Sequence, residues 1–241
     1  MKLAGKLFLI VLSIVGVLFI ISYFFLQLIN ARQFQFFGNP VSHVETEKKI
    51  VALTFDDGPT ESTAEVLQIV NDLHVPATFY LIGEQIEKYP VVTKEIVNSG
   101  HELGNHSYSH QRMIFKSYDF MKQEIEKTDA VIRLAGYEGE ITFRPPYFKK
   151  FVFLPLFLEQ TNRKTILADV TPEDHEDIAN NSEKIIEYSI KNTKSGSIIL
   201  LHPHFITAAS RPAIAEIVNE LKQQGYTFVT VSYLLKEETQ N

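Results

Sequence analysis

From residue 49 to the C-terminus, short β-rich runs alternate with amphipathic helical patterns, and that rhythm limits the folds open to the chain. Strands are expected at 50–55, 77–82, 102–104, 141–144, 164–169, 197–201 and 227–231. Helices are expected at 61–73, 84–99, 117–134, 181–191 and 211–224. In the first helix Ala64, Leu67, Val70 and Leu73 recur every three residues, the spacing of one buried face. Pro90 is placed to split the second, and Pro212 and Gly225 mark the start and stop of the last. Strand–helix alternation of this kind argues for a parallel α/β arrangement. About seven such units can close as a barrel or remain an open sheet. The polar residues favour the barrel. Asp56–Asp57, His106, Arg144, Asp169 and His202 all fall at or just beyond strand ends. Those ends converge on one face of a barrel, whereas an open sheet gathers ligands chiefly at its switch point.

The stretch 51–59, VALTFDDGP, is the centre of this pattern. It begins as an apolar strand and ends in two adjacent carboxylates before Gly58 and Pro59. Two charges at the mouth of a fold are costly unless a metal, a cationic partner or water offsets them. Neighbouring strand residues point to opposite faces, but the Gly-Pro turn breaks that alternation, so the two acids can take different jobs at one site. Downstream, His106 and His110 stand in HSYSH. If that stretch makes one helical turn, both imidazoles share a face and reach one ion, with Asp57 adding a carboxylate. Two imidazoles and a carboxylate suit zinc, and also iron, cobalt or nickel. His101 reads as structural, and His204 as a loop or substrate-side residue.

The N-terminus is of another kind. Residues 7–29 form an uncharged apolar run, and as a helix it is long enough for ~30 Å of hydrocarbon. Lys2 and Lys6 precede it, which keeps the short N-terminus inside and the rest of the chain outside. The run ends in bulky residues without a small-x-small cleavage site, which favours an uncleaved anchor over a cleaved signal that would release the protein. The organisation expected is an anchor at 1–30, a stalk at 31–48 and a catalytic domain at 49–241. Phe34, Phe36 and Phe37 in the stalk lie at the membrane interface or pack on the domain. The aromatic stretch 148–158 is expected to pack as core, with a lip facing substrate or membrane as the alternative.

Composition narrows the chemistry. With Cys 0 there is no disulfide, no thiolate nucleophile and no Cys-ligated zinc. The net charge of −6 and the lack of a long Lys/Arg block argue against a nucleic-acid groove. No specific protein partner is inferable.

TFDDGP at 54–59, HSYSH at 106–110, RPPY at 144–147 and ILLH at 199–202 stand in an order that resembles polysaccharide deacetylases of the NodB-homology type, carbohydrate esterase family four. The resemblance covers about 49–235. It implies a distorted (β/α) barrel with about seven parallel strands, here preceded by the membrane helix. It implies Asp57, His106 and His110 as metal ligands, zinc first and cobalt or another transition metal second. It further implies Asp56 as general base, Arg144 as the group that orients and neutralises it, and the Tyr147 backbone N–H as an oxyanion donor. His202 is implied as general acid, with Asp169 as its paired carboxylate. The activity implied is hydrolytic removal of N-acetyl groups from an extracellular amino-sugar polymer, peptidoglycan first. The alternatives are an O-acetyl esterase on a surface glycan and a catalytically silent glycan-binding wall protein. The sequence departs from the family pattern at 169–175, DVTPEDH, and has Trp 0. Asp174 is the candidate second acid there, and His175 or a nearby Phe the candidate wall in place of the usual Trp. Phe148 stands where the family more often has Gly.

An uncleaved anchor predicts that the mature membrane-bound protein and its precursor run at the same size on an immunoblot. Loss of about 3 kDa on maturation would identify a cleaved signal instead.

Overall fold

The computed structural model describes residues 2–205 and 208–239, so Met1, Ile206, Thr207, Gln240 and Asn241 of the expected anchor and catalytic domain lie outside the described residues. Helix α1 (Lys2–Asn30) comes first, and its part Gly5–Asn30 is long and apolar enough to cross a membrane. Strand β1 (Pro40–Val41) follows, then β2 (Ile50–Gly58), α2 (Thr63–Asp72), β3 (Thr78–Leu81), α3 (Gly83–Lys88), α4 (Pro90–Asn98) and β4 (Glu102–Asn105). The helix expected at 84–99 is divided at Pro90, whose ring and missing N–H suit the first position of α4. Next are α5 (Tyr118–Leu134), α6 (Phe153–Gln160), β5 (Thr165–Ile166), α7 (Ser182–Asn192) and β6 (Ile198–Leu201). The chain ends with α8 (Ser210–Gln223), β7 (Thr227–Val229) and α9 (Val231–Lys236). Ser117 caps α5 by accepting from Phe120 N, and Asn181 caps α7 by accepting from Lys184 N.

The strands are parallel and run β4-β3-β2-β6, with β7 against the first residues of β2. Single bridges carry the pairing round from β4 back to β6. Phe143 bridges Asn105 and Thr165, and Val170 bridges Ile199. The result is a distorted (β/α) barrel with helices outside. Its two layers follow the period-two alternation of β2. Val51, Leu53 and Phe55 face the helices, in one core with Phe79, Leu103, Ile199 and Ile214. Ile50 and Ala52 face the interior with Tyr80, Ala168, Ile198 and Leu200. Both faces are buried, which is why the strands read as nearly continuous apolar runs.

Several expected elements are shorter or absent. No strand forms at 141–144, where Phe143 alone pairs; Pro145 and Pro146 follow at once and supply no N–H to a ladder. The strand expected at 164–169 shrinks to β5, because the Asp169 side chain takes the Ile198 N–H at 2.8 Å in place of a backbone carbonyl. The last strand stops at Val229, since Thr230 accepts from Tyr233 N and starts α9, a helix the sequence pattern did not suggest. The stretch expected as a stalk is partly built into the domain. β1 pairs with β5, the buried Val44 donates to Gly196 O at 3.0 Å, and His43 bridges Ser197. The 148–158 stretch divides its faces: α6 buries Leu154, Pro155, Phe157 and Leu158, while Phe153 stays exposed.

Gly104 on β4 allows the buried Tyr80 ring to lie flat against its backbone. A Cβ there would meet Tyr80 Cε1 at 2.3 Å. Gly104→Ala is therefore expected to destabilise the domain by about 1–3 kcal/mol, the usual cost of overpacking, as read from chemical denaturation.

Candidate metal centre and active-site cleft

β2 presents its two acids by different means. Asp56 continues the interior alternation of Ile50 and Ala52 and is buried. Asp57 takes a left-handed backbone conformation (φ 69°) where the β2–β3 register shifts, so its side chain leaves the alternation. Gly58 follows against His204, whose Nε2 would lie 2.8 Å from a Cβ at that position. Both carboxylates therefore reach one cleft.

The HSYSH segment is not the helical turn expected. It is a loop after β4, with Ser107 and His110 both at positive φ (64° and 55°). The loop is held from α5: Glu124 Oε2 accepts from the backbone N–H groups of Tyr108 (3.0 Å) and Ser109 (2.9 Å). A carboxylate thus supplies the acceptors that helical carbonyls would have supplied. The two imidazoles still converge. His106 Nε2 lies 3.3 Å and His110 Nε2 3.0 Å from Asp57 Oδ1, and one ligating atom from each residue falls within 4.8 Å of the others. His106 Nδ1 sits 2.8 Å from the Arg144 carbonyl, so it carries the proton and turns the Nε2 lone pair toward Asp57. Burial opposes charge on Asp57, yet when the His106 and His110 imidazoles are protonated their Nε2–H groups, with His202 further off, hold its pKa well below the ordinary carboxylate range.

Asp56 is fixed from behind by Arg144. Arg144 donates through Nη1 to Asp56 Oδ1 (2.6 Å) and Thr54 Oγ1 (2.8 Å), and through Nη2 to Leu167 O (3.0 Å). Its guanidinium carbon also lies 4.0 Å from the centroid of the Tyr80 ring. The pair is wholly inside the barrel. Tyr147, at φ 57°, leans over the cleft with its ring 4.8 Å from that of His110 and beneath the Arg112 guanidinium.

Across the cleft is His202, and here the expected partner is wrong. Asp169 is not beside it. Asp169 accepts from Ser197 Oγ (2.9 Å) and Ile198 N (2.8 Å) and lies 3.1 Å from His43 Nδ1, which fastens β1 and β6 together. Glu173 takes the place: its Oε2 accepts from His202 N at 2.6 Å and lies 3.2 Å from His202 Nδ1. Burial works against charge on His202, but Glu173 and the Asp56 and Asp57 charges outweigh it and raise the pKa to about 9. The change of partner arises because Asp169 is spent on Ile198 N, Ser197 Oγ and His43, which leaves the next acid after Pro172 to reach the imidazole. Glu173 lay inside the segment flagged as unusual, but nothing in its spacing separated it from Asp169 or Asp174.

Three further histidines take no part in this set. His101 accepts from Ala77 N at Nδ1 (3.2 Å), so its Nε2–H faces Asn71 Oδ1 (3.1 Å); burial lowers its pKa to about 4 and its role is structural. His204 stands in the turn after β6 but is buried beneath Gly58 with Nδ1 3.0 Å from Thr63 Oγ1, and burial lowers its pKa to about 3. His175 faces Tyr188 (3.0 Å) and is no wall of the cleft. That wall is made by Tyr147, Phe148, Leu200, Asp174 and Arg32 around a cavity of about 270 Å³ that also exposes Asp56, Asp57 and His202. Arg32, from the stretch after α1, pairs with Asp174 at 2.5 Å and stacks on Phe148. No sequence signal pointed to it.

Comparison with known proteins gives the same picture. The family model described as polysaccharide deacetylase matches residues 43–151. A peptidoglycan-N-acetylglucosamine deacetylase of Bacillus cereus is 35% identical over 198 residues, covering 80% of this chain and 91% of the relative. The peptidoglycan-N-acetylmuramic acid deacetylase PdaC of Bacillus subtilis is 33% identical over 193 residues, covering 79% of this chain but 40% of that longer protein. Among solved structures, the Bc1960 peptidoglycan N-acetylglucosamine deacetylase superposes with a TM-score of 0.74 at 32% identity, covering 82% of this chain and 94% of that one. BA3943 of Bacillus anthracis, a pseudoenzyme of carbohydrate esterase family four, has a TM-score of 0.74 at 27% identity, covering 83% and 70%.

Glu173→Gln removes the charge that favours the imidazolium. The His202 titration, followed by NMR, is expected to move down from about 9 toward the ordinary 6.5, while Asp169→Asn leaves it nearly in place.

Proposed function

The chain belongs to the polysaccharide deacetylase family, and on that footing we propose that it hydrolyses N-acetyl groups from an amino-sugar polymer outside the cell, peptidoglycan first and chitin-like oligomers second. One observation carries the reading: ligating atoms of Asp57, His106 and His110 converge within 4.8 Å in the cleft that Asp56 and His202 also line. Family fold alone does not suffice, since a close structural neighbour is a pseudoenzyme.

The donor set fits a divalent cation. With both imidazoles neutral, the buried Asp57 Oδ1 has no hydrogen-bond donor and faces two nitrogen lone pairs, an arrangement that a cation relieves. Asp57, His106 and His110 would hold it. Two imidazoles and a carboxylate suit zinc, with cobalt or another transition metal as the alternative. Such an ion, when bound, polarises the acetamide carbonyl and lowers the pKa of water.

The remaining work falls to the chain's own groups. Asp56 is the general base: Arg144 bonds and aims it, and it takes the proton of the attacking water. The amide nitrogen cannot leave as an anion and must gain a proton as the C–N bond breaks. His202, whose charged form Glu173 favours, gives that proton. Acetate and a free amine result. The backbone N–H of Tyr147 serves the developing oxyanion. Helix α1 anchors the enzyme in the membrane with the catalytic domain outside, beside the wall polymer.

Purified full-length protein is expected to release acetate from N-acetylated peptidoglycan in step with new free amines, to stop with chelator and to resume with zinc. Acetate without amine would identify an esterase. Asp57→Ala should lose metal, whereas Asp56→Asn should keep it and lose about 10²–10⁴ in rate. Unchanged turnover in Asp56→Asn would remove it from the base role.

A further inference from the structure

The end of α1 is not free of the domain. Phe25 meets Phe151 edge-on at 5.7 Å between ring centroids, and Ile29 is buried against the domain. Lys149 Nζ bonds Asn30 Oδ1 and Lys150 Nζ bonds Ala31 O. Phe151 then carries the contact outward, to Phe36 at 5.6 Å and Phe115 at 5.5 Å. Around it lies an apolar cavity of about 530 Å³ lined by Met113, Phe115, Val152 and Phe153. Phe115 is 75% exposed and Phe153 44%, beside Phe34 and Phe36 at 45% and 42%. Exposed aromatic surface on this scale is unusual away from an interface.

The length of α1 sets the depth of that surface. About 20 apolar residues cross ~30 Å of hydrocarbon. A span beginning after Lys6 therefore ends near Leu26, which puts Phe25 at the outer boundary and the ring stacked on it, Phe151, at the same level. An apolar face rich in Phe buries at that level, where it enters the boundary between headgroups and acyl chains. Charge agrees. The chain as a whole carries −6, yet Arg112 and Lys149 stand next to this face, while Lys150 is buried and Arg32 is paired with Asp174. Burial, with Arg112 and Arg32 close by, presses the Lys149 pKa down, as expected of crowded cations that an anionic headgroup would neutralise.

We propose that the face formed by Phe115, Phe151, Val152 and Phe153 sits in the outer headgroup region of the bilayer that holds α1, so that lipid is its partner. The contact aims the catalytic cleft: Arg32, two residues beyond α1, lines the cleft, which therefore opens close to the membrane surface. The inference rests on α1 as a membrane span but not on the chemistry assigned to the cleft.

The chain has Trp 0, so each engineered Trp reports a single place. Full-length Phe115→Trp, Phe153→Trp, Phe19→Trp and Leu134→Trp are each reconstituted in equimolar phosphatidylcholine–phosphatidylglycerol vesicles. Quenching is read with nitroxides near the headgroup and near the chain end. Leu134 is 85% exposed and lies at the far end of α5, about 25 Å from the cavity-side start of that helix. The expected result is strong loss of emission with the headgroup label at one or both of Phe115→Trp and Phe153→Trp, with the deep label at Phe19→Trp, and none at Leu134→Trp. Quenching at Phe19→Trp alone, or at Leu134→Trp as well, overturns the docked face while leaving the span intact. An unquenched Phe19→Trp overturns the span, and the docking with it, whatever the acetate assay shows.

Discussion

The pairing of Arg144 with Asp56 is the contact on which the rest of the barrel turns. A guanidinium with no solvent exposure is tolerable only when most of its donors are used and a counter-charge is near; in Arg144 both Nη groups bond and Nε does not. Here Asp56, Thr54 and Leu167 O take its hydrogen bonds and Tyr80 its face, so one side chain links β2, β3 and the segment after β5 across the interior. The same contact holds the Arg144 backbone, whose carbonyl sets the tautomer of His106. Structural and chemical demands thus meet in one residue. Loss of either partner would strand a buried charge, a change worth about 3–5 kcal/mol.

Around that fixed centre, the functional groups stand on loops that are tied down by carboxylates. Glu124 of α5 holds the HSYSH loop, Glu173 holds the His202 strand end, and Asp169 fastens β1 to β6. Each acid accepts from backbone N–H groups, and Glu124 in this way holds the loop in which Ser107 and His110 take positive φ. The acids differ in consequence. Glu173 keeps an imidazole charged, Asp169 only ties strands, and Asp57, facing two imidazoles, is the one poised for a cation.

The segment after α1 takes part in these contacts. β1 completes an edge of the barrel through β5, and Arg32 reaches the cleft wall. Asp174, paired with Arg32, and Phe148, stacked on it, make that wall polar on one side and aromatic on the other.

Much of this was legible in the chain. The strand–helix rhythm, the apolar run at 7–29, the division at Pro90, and the order of TFDDGP, HSYSH, RPPY and ILLH are local patterns, and local patterns survive without coordinates. They were enough to place Asp57, His106 and His110 as candidate ligands and Arg144 beside Asp56. The pairing of His202 with Glu173, the burial of His204, the loop form of HSYSH and the reach of Arg32 were not legible. Each depends on which neighbour first satisfies a backbone donor or fills a gap, and that competition among acids and rings distant in sequence is decided only when the barrel closes. The sequence by itself determined the inventory of reactive groups and the strand ends that carry them; the tertiary structure alone decided their partners, because hydrogen bonds are allotted by proximity in space.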